Sequence, residues 1–303
     1  MRKSIHLEYL KKGDLVAIVS VAKYIAKKDC QVAINYIKSY GLNIVNLDST
    51  ILSRKGMFSG SDNERIEMLQ FILDSPKVKA IFFARGGYGS IRILDKLNFK
   101  KFIKNPKWFI GFSDITVFLS HVSKFYNLPA LHSTMPFNYS SNSKILLREL
   151  FNLLFGVKNS IKTRANKYNR EGVASGKLVG GNLSILCSLL SSKSFPKTKG
   201  NILLIEDVSE YLYSIDRMIY SLKRSGVFEN ISGLIVGKFS KIKDNTPAFG
   251  QNINEIITQS LSEYKFPICF NFPVGHVKNN TPVILFQDVK LKVASDVELI
   301  YTN

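Results

Sequence analysis

Cysteine and histidine are scarce in this sequence: three cysteines and four histidines among 303 residues. Cys30, Cys187 and Cys269 lie far apart and are odd in number. That excludes a disulfide-stapled scaffold and fits free thiols in a reducing compartment. Within Leu-Ser-Ile-Leu-Cys187-Ser-Leu-Leu the cysteine reads as a small buried hydrophobe. His6, His121, His132 and His276 show no HxxxH spacing, and no CxxC is present, so no metal or other cofactor is expected. Long apolar runs are also missing. No stretch approaches the ~18 residues of a membrane span. The chain opens Met-Arg-Lys, yet the apolar run from Leu15 to Ala22 is short, holds a serine and ends at Lys23. It reads as a buried strand and not as a signal peptide. The expected location is the cytoplasm, with no membrane partner.

Acidic residues are the other shortage. Asp and Glu total 23 against 42 Lys and Arg, a net charge of +19. Alone, that balance suggests nucleic acid or an anionic surface. The basic residues are scattered, however, and the densest group, Lys100, Lys101, Lys104 and Lys107, is short and broken by apolar residues. No zinc-finger spacing, basic zipper or RNP-like aromatic run accompanies them. Nucleic acid is therefore not the expected partner, and the charge is free to attract a small anionic substrate. The abundance of Lys, Asn and Ile also fits an AT-rich coding bias.

What is present is ordinary for a globular protein: 45% hydrophobic and 21% charged residues. The length suits two modest domains or one large one. Apolar runs at Leu15–Ser20, Val78–Ala84 and Trp108–Phe112 read as buried parallel strands, and Asn43–Leu47 alternates like a strand. Helical patterns fall between them at Asp29–Tyr40, Ser61–Leu73 and Ile91–Leu97. This alternation predicts an α/β fold with a mainly parallel N-terminal sheet. The polar, weakly periodic region near Asn138–Ser143 and Gly156–Glu171 marks a junction. The expected organisation is an N-terminal α/β domain over 1–155, a linker over 156–171 and a smaller, mixed α/β C-terminal domain over 172–303, with the active site between them. In the latter, Ala174–Leu183 reads as small residues and turns. Asn201–Glu206, Gly233–Gly237 and Pro267–Phe272 read as strands, Ile215–Ser225 as helix, and Val289–Val293 alternates like an antiparallel or edge strand.

Four motifs sit where chemistry is done. In Gly111-Phe-Ser113-Asp, a serine lies between an apolar strand and a helix start. There Oγ can project while backbone N–H groups face a developing oxyanion. G-x-S-x-G itself is not matched, because Ile115 holds the last position; the plain alternative is that Ser113 or Asp114 only caps the helix. Ala84-Arg-Gly-Gly-Tyr-Gly89 follows a strand and fits neither a dinucleotide fingerprint nor a P-loop. Either its glycines make a turn, or they supply an oxyanion donor beside an Arg85 able to meet a carboxylate. Glu206 ends an apolar strand, with Asp207 as competitor. His276 closes Phe272-Pro-Val-Gly-His276 on a turn. Ser113, Glu206 and His276 in chain order supply nucleophile, orienter and base.

Taken with Lys12-Gly-Asp-Leu-Val-Ala-Ile-Val, Leu131-His-Ser-Thr-Met and Gly180-Gly-Asn-Leu-Ser, these motifs run in order along nearly the whole chain. In that order they resemble the LD-carboxypeptidase family of serine peptidases (the S66 group), which includes microcin C immunity peptidases. The resemblance implies a Ser113–His276–Glu206 triad split between two domains. It also implies backbone oxyanion donors at Asp114 and at Gly86 or Gly87, no metal, and a homodimer. The implied reaction is release of a terminal D-amino acid from an L,D-peptide such as murein tetrapeptide in cell-wall recycling. Val19-Ser-Val-Ala-Lys and the Val277-Lys-Asn-Asn after His276 depart from the family pattern in loops, which bears on substrate preference. Two alternatives remain open on sequence: an immunity peptidase cleaving a peptidyl or aminoacyl nucleotide, and a non-catalytic ligand- or nucleic-acid-binding protein on the same scaffold.

Overall fold

The computed structural model describes residues 7–302, which excludes His6. The chain divides into two units. The first runs to Val157 and takes back Thr281–Ile284; the second holds Lys158–Asn280 and the chain from Leu285 onward.

In the first unit the strands are β1 (Leu15–Val19), β2 (Asn43–Ile44), a small hairpin of β3 (Arg54–Lys55) and β4 (Phe58–Ser59), then β5 (Val78–Phe83), β6 (Trp108–Gly111) and β7 (Ala130–His132). The sheet runs β2-β1-β5-β6-β7 with every one of these pairs parallel. A sixth strand, Val283–Leu285, arrives from far along the chain and takes the edge beside β7. β5 and β6 are buried almost throughout, without alternation. That is the pattern of strands covered on both faces, and it forces helical crossovers between them. The helices are α1 (Gln31–Ser39), α2 (Asp62–Asp74), α3 (Ser90–Ile93), α4 (Lys100–Lys104), α5 (Thr116–Tyr126) and α6 (Lys144–Leu154). Phe83 of β5 stacks on Phe118 of α5 at 5.3 Å between centroids and meets Phe109 of β6 edge-on at 5.5 Å, seating α5 on the sheet.

α2 is closed at both ends by side chains. Ser61 Oγ accepts from Glu64 N–H at 3.3 Å while the Glu64 carboxylate accepts from Ser61 N–H at 2.7 Å, a reciprocal cap. At the other end the buried Lys107 ammonium donates to the carbonyls of Leu73 and Ser75 at 3.0 Å and of Asn105 at 3.1 Å. Burial pulls the Lys107 pKa down to about 8.

The second unit is built on β8 (Ile161–Arg164), β9 (Gly172–Asn182), β10 (Ile202–Val208), β11 (Gly233–Ser240) and β12 (Ile268–Cys269). With Val283–Leu285 numbered β13, the chain ends in β14 (Asp288–Val293) and β15 (Asp296–Tyr301). Their order is β12-β11-β10-β9-β14-β15-β8. The first four are parallel and the last four antiparallel, β9 belonging to both halves. Helices α7 (Leu183–Leu189), α8 (Leu212–Arg224) and α9 (Ile253–Ser260) carry the crossovers. Leu186, Ile215, Ile219 and Ile257 from these helices bury against Leu203, Ile205 and Val236 of the sheet. β14 keeps Val289, Leu291 and Val293 buried, as its alternation requires, yet it is an inner strand.

Three stretches differ from the sequence reading. Ala174–Leu183 is not a set of turns; most of it lies in the eleven-residue β9. A Cβ at Gly180 would fall 2.1 Å from the Leu204 carbonyl, so a glycine there admits the neighbouring backbone and does not break the strand. The expected linker 156–171 carries β8, whose short, charged sequence pairs along the edge of β15. The stretch read as wholly C-terminal gives Thr281–Ile284 to the first unit.

Candidate active site

Ser113 begins a 3₁₀ turn, Ser113–Ile115, between β6 and α5. Its φ is +63°, a left-handed conformation that a non-glycine residue adopts only at a cost of about 1–3 kcal/mol. Gly86 lies directly against it: a Cβ at Gly86 would fall 3.1 Å from Ser113 Cβ and 3.2 Å from Ser113 Oγ. The close approach brings the glycine-run backbone beside the hydroxyl, a place that any side chain at 86 would occupy. Gly87, the next residue, is exposed. Asp114 is buried, and its carboxylate accepts from Ser90 N–H at 3.0 Å. Burial pushes its pKa up, while hydrogen bonds from Ser90 and Gly89 and the positive charge of Arg65 pull it back. Arg85 is half-buried, its guanidinium 4.2 Å over the Phe137 ring and donating to the Tyr24 carbonyl at 3.2 Å. Burial lowers its pKa, opposed by the charge of Asp29.

Glu206 and His276 both belong to the second unit. Glu206 has no exposed side-chain surface, and its Oε2 lies 2.7 Å from Nδ1 of His276, whose side chain is 16% exposed. With the carboxylate as acceptor, Nδ1 is the protonated nitrogen and Nε2 carries the lone pair. The His276 carbonyl accepts from Ser240 Oγ at 2.8 Å, and Gly275 N–H donates to Asn280 Oδ1 at 2.9 Å, which fixes the turn carrying the imidazole. Asp207 is turned the other way, as adjacent strand residues must be. It accepts from Asn182 Nδ2 at 2.9 Å, Ser184 N–H at 2.9 Å and its neighbour Val208 N–H at 2.8 Å. Its work is to tie β10 to the start of α7, which leaves Glu206 as the partner of the histidine.

A serine on a tight strand-to-helix turn beside a glycine backbone suits nucleophilic attack at a carbonyl; a buried carboxylate on an imidazole suits proton transfer. Residues 16–133 match the family model of the LD-carboxypeptidase N-terminal domain, and residues 175–291 that of the LD-carboxypeptidase C-terminal domain. The chain belongs to the LD-carboxypeptidase family. A Bacillus subtilis protein, named a probable murein peptide carboxypeptidase, is 29% identical over 272 residues, covering 88% of this chain and 85% of that one. The microcin C7 self-immunity protein MccF of Escherichia coli is 27% identical over 250 residues, covering 72% of each. The crystal structure of muramoyltetrapeptide carboxypeptidase from Oxalobacter formigenes superposes with a TM-score of 0.86 at 28% identity, covering 95% of this chain and 99% of that one.

For an LD-carboxypeptidase family member, the structure thus joins Gly86 to Ser113 in one unit and Glu206 to His276 in the other. Among the described residues no group of three or more His, Cys, Asp or Glu side chains is placed to hold a metal ion, and no helix is long and apolar enough to cross a membrane. Sequence reasoning passed over Arg65, a lone arginine in a capped helix with no motif around it.

Proposed function

We propose that the protein is a serine carboxypeptidase that hydrolyses an L,D-peptide bond and releases the terminal D-Ala of murein tetrapeptide. Ser113 Oγ attacks the scissile carbonyl carbon as His276 Nε2 takes its proton. Glu206 holds the imidazole and stabilises its cation. Backbone N–H groups of Asp114 and of Gly86 or Gly87 receive the oxyanion. The proton then passes to the leaving amine of D-Ala, and water cleaves the acyl–Ser113 ester by the same exchange. Arg85, aligned by Phe137, binds a substrate carboxylate. We place the enzyme in the cytoplasm as a homodimer.

The observation that carries this reading is the hydrogen bond between the buried Glu206 and His276, which gives the imidazole one defined basic nitrogen. The family supplies the chemistry, and the muramoyltetrapeptide carboxypeptidase structure supports the substrate. The test is release of D-Ala from murein tetrapeptide. Ser113→Ala, folded by circular dichroism, abolishes it, and Glu206→Gln lowers kcat by roughly 10³- to 10⁴-fold. Undiminished turnover by Ser113→Ala rejects the reading. An aminoacyl sulfamoyl nucleotide in the same assay separates murein recycling from an immunity function: faster cleavage of the nucleotide would reassign the substrate.

A further inference from the structure

We propose that Arg65 is a positioning residue: its buried guanidinium holds the Gly86–Gly89 backbone in the shape that meets the oxyanion at Ser113. The proposal rests on the serine-peptidase reading above. Arg65 projects from α2 and has no exposed surface, an extreme state for a residue type almost never fully buried without partners. Nη1 donates to the carbonyl of Val21, just past β1, at 2.6 Å, and to the carbonyl of Gly89 at 3.2 Å. Nη2 pairs with the Asp62 carboxylate, which also receives Arg92 Nε at 2.9 Å. The Phe58 ring of β4 lies beneath the guanidinium, 4.9 Å away. One side chain therefore ties α2, the end of β1 and β4 to the glycine run.

The contact with Gly89 is the telling one. Gly89 has φ +134°, and a Cβ there would fall 2.5 Å from Nη1. The guanidinium fills the space that the missing side chain leaves open. The next residue donates its N–H to Asp114, so the far end of the run is pinned twice: by Arg65, and by the residue that follows the nucleophile. At the near end, Gly86 touches Ser113. Stability alone is a poor account of this arginine. Burying the ion carries a desolvation cost, and the carboxylate it pairs with directly, Asp62, is partly exposed and shared with Arg92, while Asp114 acts on it through charge alone. The two carbonyl bonds, each charge-assisted, are what the burial secures.

Arg65→Lys tests this, because an ammonium keeps the charge but cannot fork to two carbonyls and a carboxylate. On murein tetrapeptide, kcat should fall roughly 10- to 100-fold with KM nearly constant, somewhat less than the loss of a whole oxyanion donor. Capture of Ser113 by a fluorophosphonate, whose phosphoryl oxygen uses the same donors, should slow by the same factor. Gly89→Ala, which displaces the intact arginine, should reproduce both effects and serves if the lysine variant does not fold. A folded variant of either kind with wild-type kcat, or with a loss confined to KM, overturns the proposal. Failure of the underlying reading shows separately, as turnover surviving Ser113→Ala.

Discussion

Glu206 and Asp207 are neighbours with the same carboxylate chemistry and opposite assignments, and only their directions on β10 separate them. Asp207 faces Asn182 and the start of α7, where burial, against the Val208 N–H and Asn182 bonds, pushes its pKa up to about 6. An unfolded aspartate titrates near 3.9. Between about pH 4 and 6 the folded state therefore binds more protons than the unfolded one, and stability falls as pH rises. Its contribution is fully present below about pH 4 and is lost above about pH 6. Two units correspond to roughly 3 kcal/mol. Asp207→Asn removes that slope: in urea unfolding, wild type should weaken by about this amount relative to the variant between pH 4 and 7. Parallel pH profiles would refute the assignment. Asp207 stood in the sequence as a competitor to Glu206 because strand direction is invisible until the sheet's faces are known. Ser113 was more legible, since an apolar strand running straight into a helix start narrows the turn to a few residues. Its left-handed φ was not, because no residue type in Gly-Phe-Ser-Asp demands it.

At the scale of an element, α2 shows which local signals suffice. Ser61 and Glu64 spelled its start, and the reciprocal hydrogen bonds stand where that pair implies. Its end was read to within one residue, Leu73 against Asp74, but the group that closes it was not, because Lys107 comes from 32 residues beyond Ser75. An ammonium at a helix C-terminus meets both the carbonyls left over there and the negative end of the dipole. Lys107→Met would leave those buried carbonyls without this donor. A loss of about 2–4 kcal/mol is expected by denaturant titration, and a loss under 0.5 kcal/mol would show that water replaces the amine. The strands divide in the same way. β5, β6 and β10 are apolar enough to declare themselves. β9 did not, because its glycines look like breaks unless the neighbouring strand is in view, and β8 is too short and charged for alternation to register.

At the scale of the whole molecule, the two units are not consecutive along the chain. The chain passes between the units after Val157, after Asn280 and again after Ile284, since β13 serves the first sheet. Three apolar residues carry no sign of which sheet they will join, so sequence assigned them to the second domain. A fragment ending at Val157 would leave the outer edge of β7 unpaired, and such edges recruit other strands. By light scattering it should form species larger than a dimer where the full chain stops at the dimer, and a peptide spanning 279–287 should suppress this. A dispersed, stably folded fragment would show that β13 is dispensable.

The same late strand sets a clock on synthesis. His132 ends β7 and Leu285 ends β13, so 153 residues (285 − 132) must be added before the edge strand is complete. At ribosomal speeds of about 5–20 residues per second that takes roughly 8–30 s. For that interval a nascent sheet carries an uncovered strand in a crowded cell, long enough for a chaperone, or a wrong partner, to find it first.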